Sequence, residues 1–380
     1  MRFSNFTNAW SIFELKDLVK FGLGLTHTPT YKDSGVAFIS SKNISGDKLD
    51  LTDINYVSLE EYSKMSSSVK PQKGDILFTR VGSNLGHPVI YDGNIEIAIF
   101  VSLGYLRCNN QVSNCFIKHW MNSNRFWSQV KEKVGGSSKF NLNTGWISKF
   151  TIGIPNLEEQ TKISFLLNKI DERIETQNKI IEGLKSSIKA ILDCFFAHET
   201  NSKIGNYITE VSERNKNDFD YPVFSVSNKK GFIPQQEQFE DKVIASDDKS
   251  SYKIVRKNMF AYNPARINVG SIDLYELDSP CIVSPMYNCF GVKEIDPMYL
   301  SMYFKSSFFI NEMSKRLEGS VRMCLTMNGL KNLPIYIPSM NEMNRLINVY
   351  LVITRKLQNS TKLLNLYLKQ KDYLLSNLFI

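Results

Sequence analysis

Clustered histidines, paired cysteines and phosphate-gripping loops are all missing from this 380-residue chain. The four histidines, His27, His87, His119 and His198, are scattered; His198 follows the end of a helical stretch, where a cation suits the helix dipole. The six cysteines, Cys108, Cys115, Cys194, Cys281, Cys289 and Cys324, form no Cys-x-x-Cys and have no histidine at ligand spacing. A zinc centre is therefore not expected, and the cysteines read as small reduced core residues. No G-x-x-x-x-G-K-[ST] occurs, which excludes a P-loop motor, and Gly22-Leu23-Gly24 does not continue into a dinucleotide fingerprint. No apolar run is long enough to span a bilayer, and no basic segment followed by an apolar one opens the sequence. The expectation is a cytoplasmic protein with no membrane partner.

Two fragments look like pieces of enzymes. Asn263-Pro264-Ala265-Arg266 resembles the Asn-Pro-Pro-aromatic motif of amino-methyltransferases but lacks the second proline and the ring that stacks on a flipped adenine. Glu14-Leu15-Lys16 has the Glu-x-Lys spacing of some nucleases, without an assignable acidic partner strand, and reads better as the start of an amphipathic helix. A self-contained DNA methyltransferase or nuclease stays an alternative, and no catalytic or metal-binding residue is assigned.

What the chain does contain is apolar mass, positive charge and a repeat. Hydrophobic residues make up 42% and aromatic residues 12%, enough for packed cores rather than disorder. The length points to two or more domains. A net charge of +8, with a pI near 9.0, favours a polyanionic partner, because cations that neutralise phosphates release counterions.

The repeat runs at a fixed offset of 183 residues. Ile154-Pro155-Asn156-Leu157-Glu158-Glu159 aligns with Ile337-Pro338-Ser339-Met340-Asn341-Glu342, and Gly136-Ser137-Ser138-Lys139 with Gly319-Ser320-Val321-Arg322. Leu142, Ile147 and Phe150 match Leu325, Leu330 and Leu333.

After each proline the apolar period becomes helical. One seam runs Ile163, Leu167, Ile170, Ile174, Gln177, Ile181, Leu184, Ile188, Ile191, Phe195. The other runs Leu346, Tyr350, Ile353, Leu357, Ser360, Leu364, Tyr367, Lys371, Leu374, Leu378. Steps of four and three alternate, as in the a/d positions of a coiled coil. Gln177 and Ser360 interrupt the two seams at the same place; such a polar layer fixes register at some cost in stability. A helix that leaves the first head and one that leaves the second pair most simply antiparallel, over roughly 60 Å at 1.5 Å per residue. A coiled-coil scaffold that binds only proteins is the second alternative.

The heads read as mixed α/β. In the first, apolar β-rich runs at 36–39, 75–79, 89–91 and 95–101 are separated by turn signals, and a helical stretch follows near Ile117–Val134. In the second, runs at 221–226, 258–262 and 281–283 precede a helix near Met298–Lys315. Candidate DNA contacts sit on polar, glycine-containing loops that follow strands: Arg80, Asn84 and His87 in the first head, and Asn263, Arg266 and Asn268 in the second. Arginine reads guanine and asparagine reads adenine in a bidentate manner. A second matched pair of loops, Ser137, Ser138, Lys139 and Asn141 against Ser320 and Arg322, suits phosphate contact.

Together these residues resemble the specificity subunit of Type I restriction–modification systems. The carrying segments are Lys73-Gly74-Asp75-Ile76-Leu77-Phe78-Thr79-Arg80-Val81-Gly82, the Ile-Pro-x-Leu-Glu-Glu-Gln-x-Lys-Ile run at 154–163 with the helix after it, and Lys203-Ile204-Gly205-Asn206-Tyr207-Ile208. The second copy departs, with Asn341-Glu342-Met343 for Glu158-Glu159-Gln160 and Arg256-Lys257-Asn258-Met259-Phe260 for the Lys-Gly-Asp-Ile-Leu run. The resemblance implies an α+β fold with an internal pseudo-two-fold repeat: recognition domains at 1–155 and 201–337, and antiparallel coiled-coil spacer helices at 156–200 and 338–380. It implies that each domain reads half of a bipartite site in double-stranded DNA. It also implies that two modification subunits, which carry S-adenosylmethionine, dock on the helices, that motor–nuclease restriction subunits complete the complex, and that this chain holds no cofactor.

Overall fold

The computed structural model describes residues 2–46, 48–81, 85–134, 141–217, 219–228, 230–238, 249–319 and 323–379. Contacts divide the chain into two units, Met1–Asn178 with Lys362–Ile380, and Lys179–Thr361. The division does not follow the boundaries drawn at 155, 200 and 337. Each unit is a head together with part of both long helices.

Both long helices form as the heptads predict, at Leu157–Phe195 and Met340–Leu378, 39 residues each. No residue of either seam is exposed. Ile163, Leu167, Ile170 and Ile181 are buried; Ile174, Leu184, Ile353, Leu357 and Leu364 are half-buried; Gln177 and Ser360 are both buried. In the first unit the helices run antiparallel. Lys371 pairs with Asp171, while Arg173 lies over the ring of Tyr367 at 5.9 Å, so the partners come in opposite order.

The starts of these helices explain the repeated Pro-containing segment. Asn156 Oδ1 accepts from the backbone N–H of Glu159, a side-chain cap for an otherwise unpaired donor. Gln160, fully buried, accepts from Ser113 N–H and donates to the carbonyls of Gln111 and Pro155, which pins the helix to the first head. In the second copy, Ser339 and Glu342 form a reciprocal capping box. Buried Met343 fills the place of Gln160, so the departure exchanges a polar pin for an apolar one.

In the first unit, strand Ser11–Glu14 pairs antiparallel with Thr151–Ile154 at the base of the long helix. A four-stranded sheet follows in the order Val19–Leu23, Leu103–Cys108, Ile76–Thr79, Gly86–Ile90. Beside it lies a three-stranded sheet in which Val36–Ile39 runs parallel to Ile97–Ile99. Glu14-Leu15-Lys16 ends a strand and opens a single helical turn, Leu15–Leu18, and Glu14 pairs with Lys16.

The second unit follows the same plan. Ser202–Lys203 pairs with Pro334–Ile335. The four-stranded sheet is ordered Ile208–Val211, Asn288–Val292, Met259–Tyr262, Ile272–Leu274. In its companion sheet, Val223–Ser227 runs parallel to Cys281–Val283.

One sequence expectation changes in both heads. The helical stretches at 117–134 and 298–315 are each two helices, Asn114–Met121 with Asn124–Val134, and Pro297–Phe304 with Ser307–Ser314. A serine makes the break. Ser123 Oγ donates to Trp120 O (2.6 Å) and accepts from Phe126 N–H, and Ser306 does the same with Tyr303 and Phe309. Such a hydroxyl ends one helix and caps the next. Among the cysteines, Cys281 and Cys289 are buried and burial raises both thiols to about 12, as it does half-buried Cys108; Cys194 is exposed, unlike a core residue.

Candidate nucleic-acid interface

Described residues at the edges of the loops singled out in the sequence meet in each head. In the first, strand Ile76–Thr79 leads into Arg80 and Val81. Val81 bridges to Asn141, and Leu142 N–H donates to Arg80 O at 2.8 Å. The segment after this strand therefore adjoins Asn141 and Leu142, which follow the glycine-serine run in the sequence. In the second head, Leu325 N–H donates to Pro264 O at 3.0 Å, and the hydroxyl of Tyr262 donates to Leu325 O. Leu142 and Leu325 are 183 residues apart, so the junction itself is repeated.

Turn chemistry sets the strands that lead into and out of these junctions. Gly74, at φ +91°, donates its N–H to Tyr91 O; Asn258, at φ +67°, donates to Tyr275 O at the same 2.8 Å. Asparagine replaces glycine in the second head because it tolerates the left-handed region best among residues with a Cβ. Gly86, at φ +90°, is required twice over, since an added Cβ would lie 2.6 Å from the Trp127 ring.

The named side chains are not equivalent. Arg80 is 8% exposed, its Nε and Nη1 donate to the carbonyls of Leu142 and Val101, and burial lowers its pKa. Its guanidinium thus ties the two loops together inside the protein rather than projecting from it. His87 is half-buried and Asn141 exposed. Asn263 is buried, and its Oδ1 accepts from Ala265 N–H in a local turn. Arg266 and Asn268 are exposed on the short helical turn that follows, ended by Gly270 at φ +93°. Asn84, Ser137, Ser138, Lys139, Ser320 and Arg322 lie outside the described residues.

Other features were not singled out from sequence. Beside the second-head loop, Met286 is 62% exposed and its sulfur lies 3.5 Å from Asn263 Nδ2. An open cavity of about 460 Å³ adjoins Gly270 and carries Lys230, Asp273 and Lys305. In the first head, Arg107 forms a two-pronged pair with buried Asp75 at 2.7 and 2.8 Å, which raises the arginine's pKa. The Lys-Gly-Asp run of the sequence holds this aspartate, but only the sheet pairing brings Arg107 to it. Among the described residues there is no group of three or more potential metal ligands, and no helix is long and apolar enough to cross a membrane.

Residues 8–186 match the family described as the Type I restriction modification DNA specificity domain. A Methanocaldococcus jannaschii protein, provisionally named type I restriction enzyme MjaX specificity subunit, is 29% identical over 238 residues, 59% of this chain. The chain spans about half the length (53%) of that curated relative. In fold, the chain is similar to the Type I restriction–modification system S subunit from M. genitalium, with a TM-score of 0.61, 14% identity and coverage of 100% of this chain and 98% of that one. It is equally similar to a chain from a structure of the assembly and conformational transition of the type I R-M system, with a TM-score of 0.60, 14% identity and 97% coverage of both. The resemblance read from the sequence therefore holds in sequence over the first half and in fold over the whole.

Proposed function

We propose that this chain is the DNA sequence-specificity subunit of a Type I restriction–modification system. The observation that carries the proposal is the repeated junction: in both heads the segment that follows a sheet strand, at Arg80 or Pro264, accepts a hydrogen bond from a leucine, Leu142 or Leu325, that lies just after a second polar run in the sequence. Each head reads one half of a bipartite target in double-stranded DNA. Exposed Arg266 and Asn268 are base-reading candidates in the second head. Arg80 acts in the first head by holding the reading loop in place. The net charge of +8 supports phosphate contact around both.

The long helices set the spacing of the half-sites, because two readers on a stiff spacer accept half-sites only at a fixed helical phase. Two modification subunits dock on them and supply S-adenosylmethionine, so the chain reads DNA without transforming it. Restriction subunits complete the endonuclease.

The experiment is activity by reconstitution. The purified chain transfers no methyl group to DNA, while co-expression with cognate modification subunits gives methylation at defined sites. Methyl transfer by the chain alone would overturn the proposal. A heptad inserted into both long helices changes the gap between half-sites and leaves the half-sites unchanged; altered half-sites would refute the division of labour.

A further inference from the structure

Each head offers a seat to a helix end, and the two seats match at the 183-residue offset. In the first unit, Phe379 packs on Phe116 with ring centroids 5.2 Å apart, and Asn124 Nδ2 donates to Ser376 Oγ at 2.7 Å. In the second, Phe196 packs on Tyr299 at 5.4 Å, and Ser307 donates its N–H and hydroxyl to Asp193 at 2.8 and 2.9 Å. A repeated protein built this way faces a pairing problem. The first-helix end of a second copy of this chain is shaped for the first head's seat as well, and such a mistake joins like halves of two chains.

One cluster breaks the match. Asp171, its side chain 14% exposed, lies 2.7 Å from Lys371 Nζ and 3.8 Å from Lys118 Nζ. His119, fully buried, hydrogen-bonds through Nε2 to Asn168 Oδ1 at 2.8 Å. The residues 183 positions away from Asp171, Lys371, Lys118, His119 and Asn168 are Thr354, Ile188, Ser301, Met302 and Leu351. The second unit carries no charge at any of these places. The pair between Asn124 and Ser376 does not discriminate, since Asp193 is also a fitting acceptor for Asn124.

Wrong seating is therefore penalised from both sides. With a first-helix end in the first head, Ile188 faces Asp171, and a mostly buried carboxylate loses its nearest cation. With a second-helix end in the second head, Lys371 faces Thr354 and finds no carboxylate. A charge or amide at one seam position is an attested way for a coiled coil to choose its partner, at some cost in stability.

We propose that Asp171 and Lys371, supported by Lys118, form an assembly key: the first head accepts this chain's own second helix and rejects the first-helix end of a second copy. The functional consequence rests on the DNA-reading proposal above. Two identical heads related by a two-fold axis match a palindromic site. By keeping unlike heads together, the key keeps the target asymmetric.

The test uses the full-length chain in a Cys194→Ser background. Asn124→Cys with Ser376→Cys cross-links the native seat within one chain. Asn124→Cys with Asp193→Cys cross-links two chains, and only when like halves pair. After refolding at high chain concentration and oxidation, the second pair gives background covalent dimer in the otherwise wild-type chain. Adding Lys371→Ile raises the dimer at least tenfold, and so does Asp171→Thr with Lys371→Ile, which removes both charges and protects folding. The reversed pair, Asp171→Lys with Lys371→Asp, returns it to background. A dimer fraction within twofold of the parent in both Lys371→Ile chains overturns the key. With modification subunits present, the Lys371→Ile chains gain methylation at palindromic sites. Covalent dimer without such methylation leaves the key standing and counts against the DNA-reading proposal instead.

Discussion

Lys371 Nζ lies 2.7 Å from Asp171 Oδ1, and this ion pair explains why a charged residue stands in the seam of the second long helix. The two residues face each other on antiparallel helices, with Lys118 of the first head on the other carboxylate oxygen. Removing the carboxylate leaves two lysines together in a largely buried place. Asp171→Ala should lower stability by about 2–3 kcal/mol, somewhat less than for a fully buried pair because each partner keeps some exposure. Lys371→Ala should cost less, since Lys118 remains. Urea unfolding of both variants checks the order; equal, negligible effects would show that the pair contributes nothing.

A pH dependence follows from His119. Burial is the main reason its pKa falls to about 4; the Asn168 hydrogen bond and Asp171 oppose that shift, and Lys118 and Lys371 add to it. The folded state thus binds this proton less readily than the unfolded chain, whose histidine titrates near 6.5. The associated stability is fully present above about pH 6.5 and is lost as pH falls toward 4, by about 3 kcal/mol in all. His119→Met with Asn168→Leu copies Met302 and Leu351 of the second unit. It should flatten this part of the stability profile, measured by chemical unfolding between pH 4 and 7; an unchanged slope would place the proton elsewhere.

Phe379 and Phe196 do the same work in different units, each nearly fully buried against an aromatic ring of one head. Either Phe→Ala change should cost about 3–5 kcal/mol. Hydrogen exchange should localise the loss. Phe379→Ala should speed exchange in the helices Asn114–Met121 and Asn124–Val134, and Phe196→Ala in Pro297–Phe304 and Ser307–Ser314. Uniform loss of protection in both variants would contradict the separation of the two seats.

In the loops proposed to read DNA, exposed Arg266 and buried Arg80 should separate affinity from stability. Arg266→Ala should weaken binding to the cognate site by about 1–3 kcal/mol and leave the melting temperature unchanged. Arg80→Met strips the carbonyls of Leu142 and Val101 of their donor, which should cost about 1–3 kcal/mol of stability. Fluorescence anisotropy on duplex DNA at two salt concentrations, beside thermal melts, checks both. A stable Arg80→Met chain with altered site preference would make Arg80 a base reader after all.

The sequence made the helices legible and the heads only partly so. Heptads act through local period, so Ile163 to Phe195 and Leu346 to Leu378 could be read without knowing what they touch. The junction of loops was half-legible: Leu142 and Leu325 matched at 183 residues, but their partners Arg80 and Pro264 are set by chain segments far away. Whether Arg80 points outward or inward depends on the carbonyls of Leu142 and Val101, which no local pattern announces. Ser123 and Ser306 were hidden because a serine inside an apolar helical run signals nothing until its hydroxyl finds Trp120 or Tyr303. Lys371 stood in the seam without a reason until the antiparallel pairing supplied Asp171.

The central claim is that two unlike heads on one chain read two halves of one DNA target. Single-molecule methylome sequencing of a host expressing this chain with its modification subunits tests it most directly. The account predicts one methylated motif made of two different half-sites separated by a fixed, unspecified gap. A contiguous motif, a palindrome, or no motif that depends on this chain would contradict it.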